Sequence, residues 1–327
     1  MRRLPFSLTL LLALTGCFVL SGCGLQGASE FTPDARPGSI RPLAGTTGVE
    51  IAVGSKNFTE QILLGKIAVI ALQVSGFDVV DRTNIPGSVA HREGILSGEI
   101  NMHWEYTGTA WISYLGNESG IPDRGQQWEA VRKADAKNGL VWLPPAPMNN
   151  TYGFAVRSEA VAGLGGITRL SQIADLPPEK RTFCVESEFA SRNDGFEPML
   201  DRYDLSLGTP RGVDRGNVRT LDTGAIYAAT DAGACNFGEI FTTDGRLKAL
   251  GLTVLEDDRR FFPAYNVAPV VRAEVLKRHP EVQQVLGQIT PLLTDEVLIE
   301  LNRRVDVDGK EPADVALEWM RSKGLVG

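Results

Sequence analysis

The sequence has few of the residues that build metal centres, redox relays or nucleic-acid surfaces. Its 327 residues include only three histidines, His91, His103 and His279, and four cysteines. Lysine and arginine number 33 against 40 aspartate and glutamate residues, which gives a net charge of −7. A nucleic-acid-binding protein normally carries a basic face. The composition therefore argues against a metal centre, a redox relay and a nucleic-acid partner.

Enzymatic signatures are also absent from the sequence. It has no G-x-S-x-G nucleophile elbow, no phosphate-binding P-loop, no H-E-x-x-H zinc motif and no C-x-x-C pair. His103 and Glu105 lie two residues apart, so on a strand they point the same way, but many ordinary surface pairs do so too. We therefore predict no catalytic residue, no cofactor and no metal. A secreted α/β hydrolase is kept only as the alternative from another class of protein.

The N-terminal residues predict export from the cytoplasm. A basic start, Met1–Arg3, precedes a mostly apolar stretch over residues 4–20, which contains proline, serine, threonine and glycine. Such a stretch is typical of a secretory signal rather than of a spanning helix. It ends in Leu-Ser-Gly-Cys at Cys23, which resembles the lipobox of bacterial lipoproteins. We predict a signal peptide over 1–23 and a lipid anchor at Cys23, with Cys17 as the alternative, on the outer face of the cell membrane.

The segment that follows the predicted signal peptide has the composition of a linker. Residues 24–48 are rich in glycine, proline, serine and threonine and predict a flexible tether.

Beyond the tether the only cysteines are Cys184 and Cys235. Two cysteines in an oxidising compartment pair more often than not, so we predict a disulfide between them. Two buried free thiols are the alternative.

Strand-like and helix-like segments alternate from residue 49 to the C-terminus. Short apolar runs predict strands, and longer apolar-striped segments that stop at glycine predict helices. The predicted strands are 49–54, 77–82, 100–104, 140–143, 152–156, 182–186 and 252–256, and the predicted helices are 60–74, 89–96, 128–138, 224–232, 280–286, 294–304 and 312–323. This alternation predicts an α/β protein with parallel sheets and helices on both faces, and the length suffices for two domains.

Three polar segments lie where strands end or where one domain would pass to the next. They are 53–61 (VGSKNFTEQ), 104–110 (WEYTGTA) and 149–153 (NNTYG). The first two place a turn before a helix start, where free backbone amides and the helix dipole suit an anion such as a carboxylate. In doubly wound sheets, ligands lie outside the carboxyl ends of the strands. The three segments therefore predict one ligand site.

Several motifs, taken in order, resemble those of one known family. They are GSKNFTEQ at 54–61, EYTGTA at 105–110, NNTY at 149–152, the stretch from Thr223-Gly224 to Tyr227, TDGR at 243–246 and FFPAYNVAP at 261–269. These motifs and their spacing are similar to those of the substrate-binding proteins of glycine betaine/choline ATP-binding-cassette importers. The resemblance runs from about Val49 to the C-terminus.

The resemblance implies a type II periplasmic-binding-protein fold, with two α/β lobes, two crossovers and the ligand in the cleft between the lobes. The first lobe would combine 49–150 with 261–327, and the second would be 151–260. The implied function is capture of a quaternary ammonium compound, such as glycine betaine or choline, for uptake and osmoprotection. The implied partners are a membrane permease and an ATPase, and we predict a monomer.

The resemblance also implies a set of ligand-binding residues. Family members hold the quaternary ammonium in a cage of tyrosines, whose faces attract a cation that has no hydrogen to donate. The matched motifs carry over, as cage walls, Tyr106, Tyr152 and Tyr227, and, as the second-lobe polar pair, Glu188 and Arg192. Arg192 could clamp a ligand carboxylate, with Lys56 and Thr109 facing it from the first lobe. The further predicted contacts are Asn57, Phe58 and Asn150.

The sequence departs from the family pattern at the fourth cage wall, for which Phe241, Phe262 and Tyr265 are the candidates. A three-walled or phenylalanine-containing cage suits a bulkier solute, such as a trimethylated histidine betaine, or weakens affinity. The same tyrosines could instead fill the core or pack a hinge, and Lys56 and Arg192 could be ordinary ion pairs. A protein of this fold that has lost the betaine site is a further alternative.

Overall fold

Ten strands form two separate five-stranded sheets in the computed structural model, which describes residues 33–327. The strands are β1 (Glu50–Lys56), β2 (Asp78–Ile85), β3 (Met102–Tyr106), β4 (Leu140–Trp142), β5 (Tyr152–Arg157), β6 (Phe183–Val185), β7 (Val218–Thr220), β8 (Phe237–Phe241), β9 (Leu252–Val254) and β10 (Val267–Arg272). The first sheet has the order β2-β1-β3-β10-β4 and the second the order β7-β6-β8-β5-β9. The predicted signal peptide and the candidate lipidation sites Cys17 and Cys23 lie outside the described residues.

Twelve α-helical segments are found within the described residues. They are α1 (Thr59–Val74), α2 (Ser88–Ser97), α3 (Thr107–Thr109, continued by a π turn over Ala110–Tyr114), α4 (Arg124–Asp135), α5 (Ser187–Ser191), α6 (Phe196–Arg202), α7 (Thr223–Asp231), α8 (Arg246–Ala249), α9 (Ala273–Arg278), α10 (Glu281–Ile289), α11 (Asp295–Asp306) and α12 (Pro312–Ser322). None of them is long and apolar enough to cross a membrane.

The two sheets define two lobes that the chain crosses between twice. Strands of the first sheet come from residues 50–142 and 267–272, and those of the second from residues 152–254. The two crossing segments run side by side, because Tyr265 donates its backbone N–H to Asn149 Oδ1 at 2.7 Å and Asn150 donates its own to the Tyr265 carbonyl at 3.3 Å.

Both sheets are mixed, so the prediction of parallel sheets was wrong. In the first sheet β10 runs antiparallel to β3 and β4, and in the second β5 runs antiparallel to β8 and β9. The reason is topological, since β5 and β10 are the strands that the chain enters directly after crossing from the other lobe. The remaining pairs, β1 with β2 and β3 and β6 with β7 and β8, are parallel and have helices between them.

The sequence did not predict β7, β8 or β10, and the last two have patterns that hide a strand for a physical reason. Strand β8 carries Gly238 and the buried Glu239 in its middle, so its apolar period is broken. Strand β10 contains Pro269, a residue that normally argues against a strand in a sheet interior because it has no N–H to donate. Both strands nevertheless lie in the interior of their sheets, where burial of their apolar residues outweighs local preference.

Helix α1 is the centre of the first lobe. It is apolar on nearly all sides, and Leu63, Leu64 and Ile67 are fully buried. A helix that is apolar all round belongs in the interior. It packs between the first sheet and helices α11 and α12 at the C-terminus of the chain. This packing fixes the N-terminal end of α1, which directly follows β1, at the edge of the cleft between the lobes.

The second half of the predicted tether is packed on the first lobe. Ile40 is fully buried and donates its backbone N–H to the Leu325 carbonyl at 3.0 Å, and Ser39 donates to the Gly324 carbonyl at 2.8 Å. The Thr46 hydroxyl donates to the Ser75 carbonyl at 2.8 Å. The prediction of a flexible tether over 24–48 is therefore wrong for this part. A single isoleucine in a polar stretch gave no periodic signal, yet it anchors the segment.

Cys184 and Cys235 form a disulfide within the second lobe, with a Cα–Cα distance of 5.8 Å. Cys184 lies on β6 and Cys235 two residues before the start of β8, and both side chains are buried. The bridge closes a loop between residues 51 positions apart, so it restricts the unfolded chain. This is the pairing that the sequence predicts.

Candidate ligand-binding cleft

A cleft of about 860 Å³ lies between the lobes and is lined from both sides. Nine of the ten residues that the sequence predicts as ligand contacts line it: Lys56, Asn57, Phe58, Tyr106, Thr109, Asn150, Tyr152, Glu188 and Arg192. They come from the end of β1 and the two residues after it, from the end of β3 and from α3, from the first crossing segment and the start of β5, and from α5 and the residue that follows it. The topology thus brings together segments that are far apart in the sequence.

The exception among the predicted ligand residues is Tyr227, which we correct. Its side chain is 1% exposed and packs in the core of the second lobe with Ala155, Ile240 and Leu252. Its hydroxyl accepts a hydrogen bond from the backbone N–H of Phe241 at 2.9 Å. Tyr227 lies on the buried face of α7, so it supports a cleft residue and does not line the cleft itself.

Five aromatic side chains form a continuous series along the cleft, which we call the aromatic arc. Its members, in spatial order, are Tyr106, Phe58, Phe241, Tyr152 and Tyr265. Successive ring centroids are 6.1, 5.4, 5.3 and 5.4 Å apart. Two of the three residues considered for the missing wall, Phe241 and Tyr265, are therefore in the cleft, whereas Phe262 packs behind Tyr152 at 6.4 Å.

Ring faces of the aromatic arc already lie close to cations of the protein. The Lys56 Nζ atom is 5.3 Å from the centroid of Tyr106, and the Arg192 guanidinium carbon is 5.5 Å from that of Tyr152. The negative face of an aromatic ring attracts a cation at such distances. The same faces suit a ligand cation that cannot donate a hydrogen bond.

Each of the two cationic residues is paired with an acid behind the cleft wall. Lys56 Nζ donates to Glu105 Oε1 at 2.7 Å, and both side chains are buried. Arg192 binds Asp194 through two hydrogen bonds of 2.7 and 2.6 Å, and the Tyr265 hydroxyl donates to the same carboxylate at 2.6 Å. A buried pair of this kind holds its charges in a fixed position. Lys56 and Arg192 are therefore oriented by Glu105 and Asp194, which the sequence reasoning did not assign to the site.

Glu60 connects the first lobe, the crossing segment and the second lobe. Its buried carboxylate accepts hydrogen bonds from the Tyr106 hydroxyl at 2.7 Å, from Asn150 Nδ2 at 2.9 Å, from Asn302 Nδ2 at 3.2 Å and from the Thr243 hydroxyl. Burial raises the pKa of Glu60, and the four donors oppose that rise. Sequence reasoning missed this role, although Glu60 lies in the GSKNFTEQ motif and Thr243 in the TDGR motif.

The lobes also touch where the TDGR motif meets the C-terminal helices. A Cβ atom added to Gly245 would lie 2.5 Å from the Cα atom of Arg303, so only glycine allows this approach. Asn302, the neighbour of Arg303 on α11, donates from Nδ2 to the Thr243 carbonyl at 3.0 Å. The motif therefore forms an inter-lobe contact beside the cleft.

A buried group of His91, His103 and Glu105 lies directly behind Lys56. Within the described residues it is the one group spaced closely enough to share a metal ion. The carboxylate of Glu105 already accepts three hydrogen bonds, from Lys56, from the backbone N–H of Tyr106 at 2.7 Å and from the Tyr114 hydroxyl at 2.9 Å. Three of its roughly four lone-pair positions are thus engaged, which suits a hydrogen-bonded network, and we assign no metal to the group.

The protonation of this group follows from its burial. Burial alone would raise the pKa of Glu105, but the Lys56 ammonium and the neighbouring histidines hold it well below its usual range. Burial lowers the pKa of His91 and places that of His103 well below its usual value. The two rings contact each other through ring nitrogens 3.0 Å apart, with both side chains 0% exposed. Both histidines are therefore neutral at pH 7.

We expect His91 and His103 to contribute a fall in the free energy of unfolding as the pH drops below about 6.5, against which the raised pKa values of Glu60 and Glu239 act. The folded-state pKa of His91 and His103 is lowered, so the unfolded chain takes up protons that the folded chain does not. His103, whose folded-state pKa lies well below its usual value, should then cost up to about 1 kcal/mol of stability between pH 6.5 and 5.5, and His91 adds to this in the same direction. Urea unfolding at a series of pH values measures this slope.

The matched variant for this pH prediction is His103→Leu, which fills the same buried position with an apolar side chain. Its stability should depend less steeply on pH over the same range, whatever its absolute stability. A slope equal to that of the wild type would show that His103 contributes nothing to the pH dependence.

Known proteins similar to this chain were found by sequence and by structure. A family model described as the substrate binding domain of an ABC-type glycine betaine transport system matches residues 49–322. The chain is 37% identical over 284 residues to a glycine-betaine-binding protein of Pseudomonas aeruginosa, covering 84% of this chain and 88% of the relative. It is 33% identical over 278 residues to the glycine betaine-binding protein YehZ of Escherichia coli, covering 84% and 90% of the two chains.

One solved structure with a similar fold is a glycine betaine/carnitine/choline ABC transporter protein. It superimposes with a TM-score of 0.67 at 24% identity, covering 83% of this chain and 98% of the other. At that identity the likeness shows the fold alone. The predicted two-lobed fold of type II periplasmic binding proteins, with its two crossovers and cleft, is confirmed.

Proposed function

Because the chain belongs to the family of substrate-binding domains of ABC-type glycine betaine transport systems, we propose that it binds a quaternary ammonium solute in the cleft between its lobes. As a member of that family it is a solute-binding protein of an ABC importer and works outside the cytoplasm. The solute is a compound of the glycine betaine or choline type, taken up as an osmoprotectant.

The aromatic arc is the observation that carries this proposal. A trimethylammonium group has no N–H to donate, so ring faces are the practical protein groups that attract it. The arc supplies rings from both lobes, since Phe58 and Tyr106 belong to the first sheet's side and Phe241 and Tyr152 to the second's. A cation held between these rings would lose its hydration shell, and the negative faces of the rings would replace the attraction that the water provided.

The polar residues of the cleft take the remaining part of the solute. Lys56 and Thr109 from the first lobe and Arg192 from the second would face a ligand carboxylate, since a guanidinium and an ammonium are the strongest donors to that group. Asn57 and Asn150 border the same cleft and would limit its size. Glu188 contacts Arg192 at 3.3 Å and also lines the cleft.

Capture would proceed by closure of the two lobes about the paired crossing segments. We assign 49–150 with 261–327 to the first lobe and 151–260 to the second. Closure around the solute excludes water and gives the closed protein a surface different from that of the open one, which a permease can distinguish. The partners are therefore the membrane permease and the ATPase of the importer, and the binding protein acts as a monomer held to the membrane by a lipid on Cys23.

Calorimetric titration of the purified protein tests this function. The panel consists of glycine betaine, choline, proline betaine, carnitine and a trimethylated histidine betaine. The matched control is glycine, which has the carboxylate and the amine of glycine betaine but no methyl groups. We expect saturable one-to-one binding of at least one methylated compound and none of glycine. A folded protein that binds no compound of the panel would contradict the proposal and leave the fold unaffected.

A further inference from the structure

The carboxylate of Glu188 bridges the two lobes at one end of the cleft. Its Oε2 atom accepts a hydrogen bond from the backbone N–H of Ser88 at 3.0 Å, and its Oε1 atom accepts one from the Ser88 hydroxyl. Arg192 Nη1 donates to the same Oε1 atom at 3.3 Å. Ser88 belongs to the first lobe, whereas Glu188 and Arg192 belong to the second, so this contact joins the lobes.

The donors around Glu188 form a site of the kind that binds a free carboxylate. Ser88 is the first residue of α2, and the residue before it, Gly87, has a φ of 75° and provides no side-chain cap. The first amide of this ten-residue helix is therefore left for an acceptor from elsewhere. Together with the guanidinium of Arg192, it offers the charge-assisted and backbone donors that a carboxylate group requires.

Glu188 is charged and reachable from the cleft. Burial acts to raise its pKa, but Lys56, the Ser88 donors and Arg192 together lower it, so the side chain is ionised near pH 7. Its side chain is 32% exposed and lines the cleft. A ligand carboxylate that approached Arg192 would meet the Glu188 carboxylate on the same donors.

We propose that Glu188 is a specificity-determining residue, an internal carboxylate that occupies the anion-binding end of the cleft between Ser88 and Arg192. The inference rests on the proposed function and concerns the solute that the cleft prefers. A zwitterionic betaine must displace Glu188 from these donors or bind beside a like charge. A choline-type cation, which has no carboxylate, leaves the Ser88–Glu188–Arg192 contact in place and gains a nearby negative charge.

The experiment compares the dissociation constants of glycine betaine and choline in the full chain and in three variants. Glu188→Ala frees the two donors of Ser88 and the Nη1 donor of Arg192, and Glu188→Gln keeps the size of the side chain without its charge. We expect Glu188→Ala to shift the ratio of the two constants in favour of glycine betaine by about tenfold or more, because hydrogen bonds to charged groups contribute at that level. Glu188→Gln should shift it in the same direction by less.

The matched control is Asp222→Asn, which removes a carboxylate that lines the same cleft but contacts neither Ser88 nor Arg192. It should change both constants alike and leave their ratio nearly as in the wild type. A ratio unchanged in Glu188→Ala, or one shifted equally by Asp222→Asn, would overturn the assignment of Glu188. If the wild type itself binds neither compound nor any other of the panel, the proposed function fails instead, and the two failures are thus told apart.

Discussion

Replacing Glu60 with alanine is expected to lower the free energy of unfolding by about 3–5 kcal/mol. The substitution removes the shared acceptor of four buried donors. It leaves the donors of Tyr106, Asn150 and Thr243 without a partner, whereas Asn302 Nδ2 keeps the Thr243 carbonyl. Unlike an exposed pair, these groups have no water to replace the lost partner, so each contributes a desolvation cost. Urea unfolding followed by circular dichroism measures the change.

Two controls separate the network from the loss of one carboxylate. Glu60→Gln retains one acceptor oxygen and should fall between wild type and alanine. Glu50→Ala removes an exposed glutamate at the start of β1 and should unfold like the wild type. A Glu60→Ala protein as stable as the Glu50→Ala protein would mean that the four donors find other partners, and that Glu60 does not hold the lobes together.

Replacing Tyr152 with alanine is expected to weaken binding of the preferred solute by about 30-fold or more. Tyr152 lies in the aromatic arc, 5.3 Å from Phe241 and 5.4 Å from Tyr265 between ring centroids, and its face already attracts the Arg192 cation. Its loss removes a cation-binding face and a central contact of the cleft, where truncations have their largest effects. Because the side chain is only half-buried, the cost in stability should be modest.

Tyr227 gives a matched comparison, since it was predicted as a cage wall but lies in the core. Tyr227→Leu removes the ring and keeps an apolar side chain among Ala155, Ile240 and Leu252. We expect it to lower stability while the affinity stays within about threefold of the wild type. Tyr152→Phe, which keeps the ring, should bind nearly as the wild type does. If Tyr227→Leu lost affinity as severely as Tyr152→Ala, Tyr227 would have to be a ligand contact after all.

Much of the architecture could be predicted from local patterns. The helices over α1, α2, α7, α11 and α12 were each predicted to within a few residues, because an apolar stripe that stops at glycine or begins at a cap is encoded locally. The mixed sheets were not predicted, since the direction of β5 and β10 depends on the lobe from which the chain arrives. The local alternation of strands and helices carries no information about the lobe from which the chain enters a sheet.

The motifs, their order and their spacing were enough to identify the family, the two-lobed fold and the segments that meet at the cleft, because order and spacing can be read along the chain without any folding. Which aromatic side chains reach the cleft depends instead on how the elements pack. Tyr227 and Phe241 lie on neighbouring elements, and packing turns the first into the core and the second into the arc. The contact of Glu188 with Ser88 and that of Glu60 with Thr243 join residues 100 and 183 positions apart. Such contacts form only when the whole chain is folded, because burial and close approach, and not the local sequence, fix their geometry.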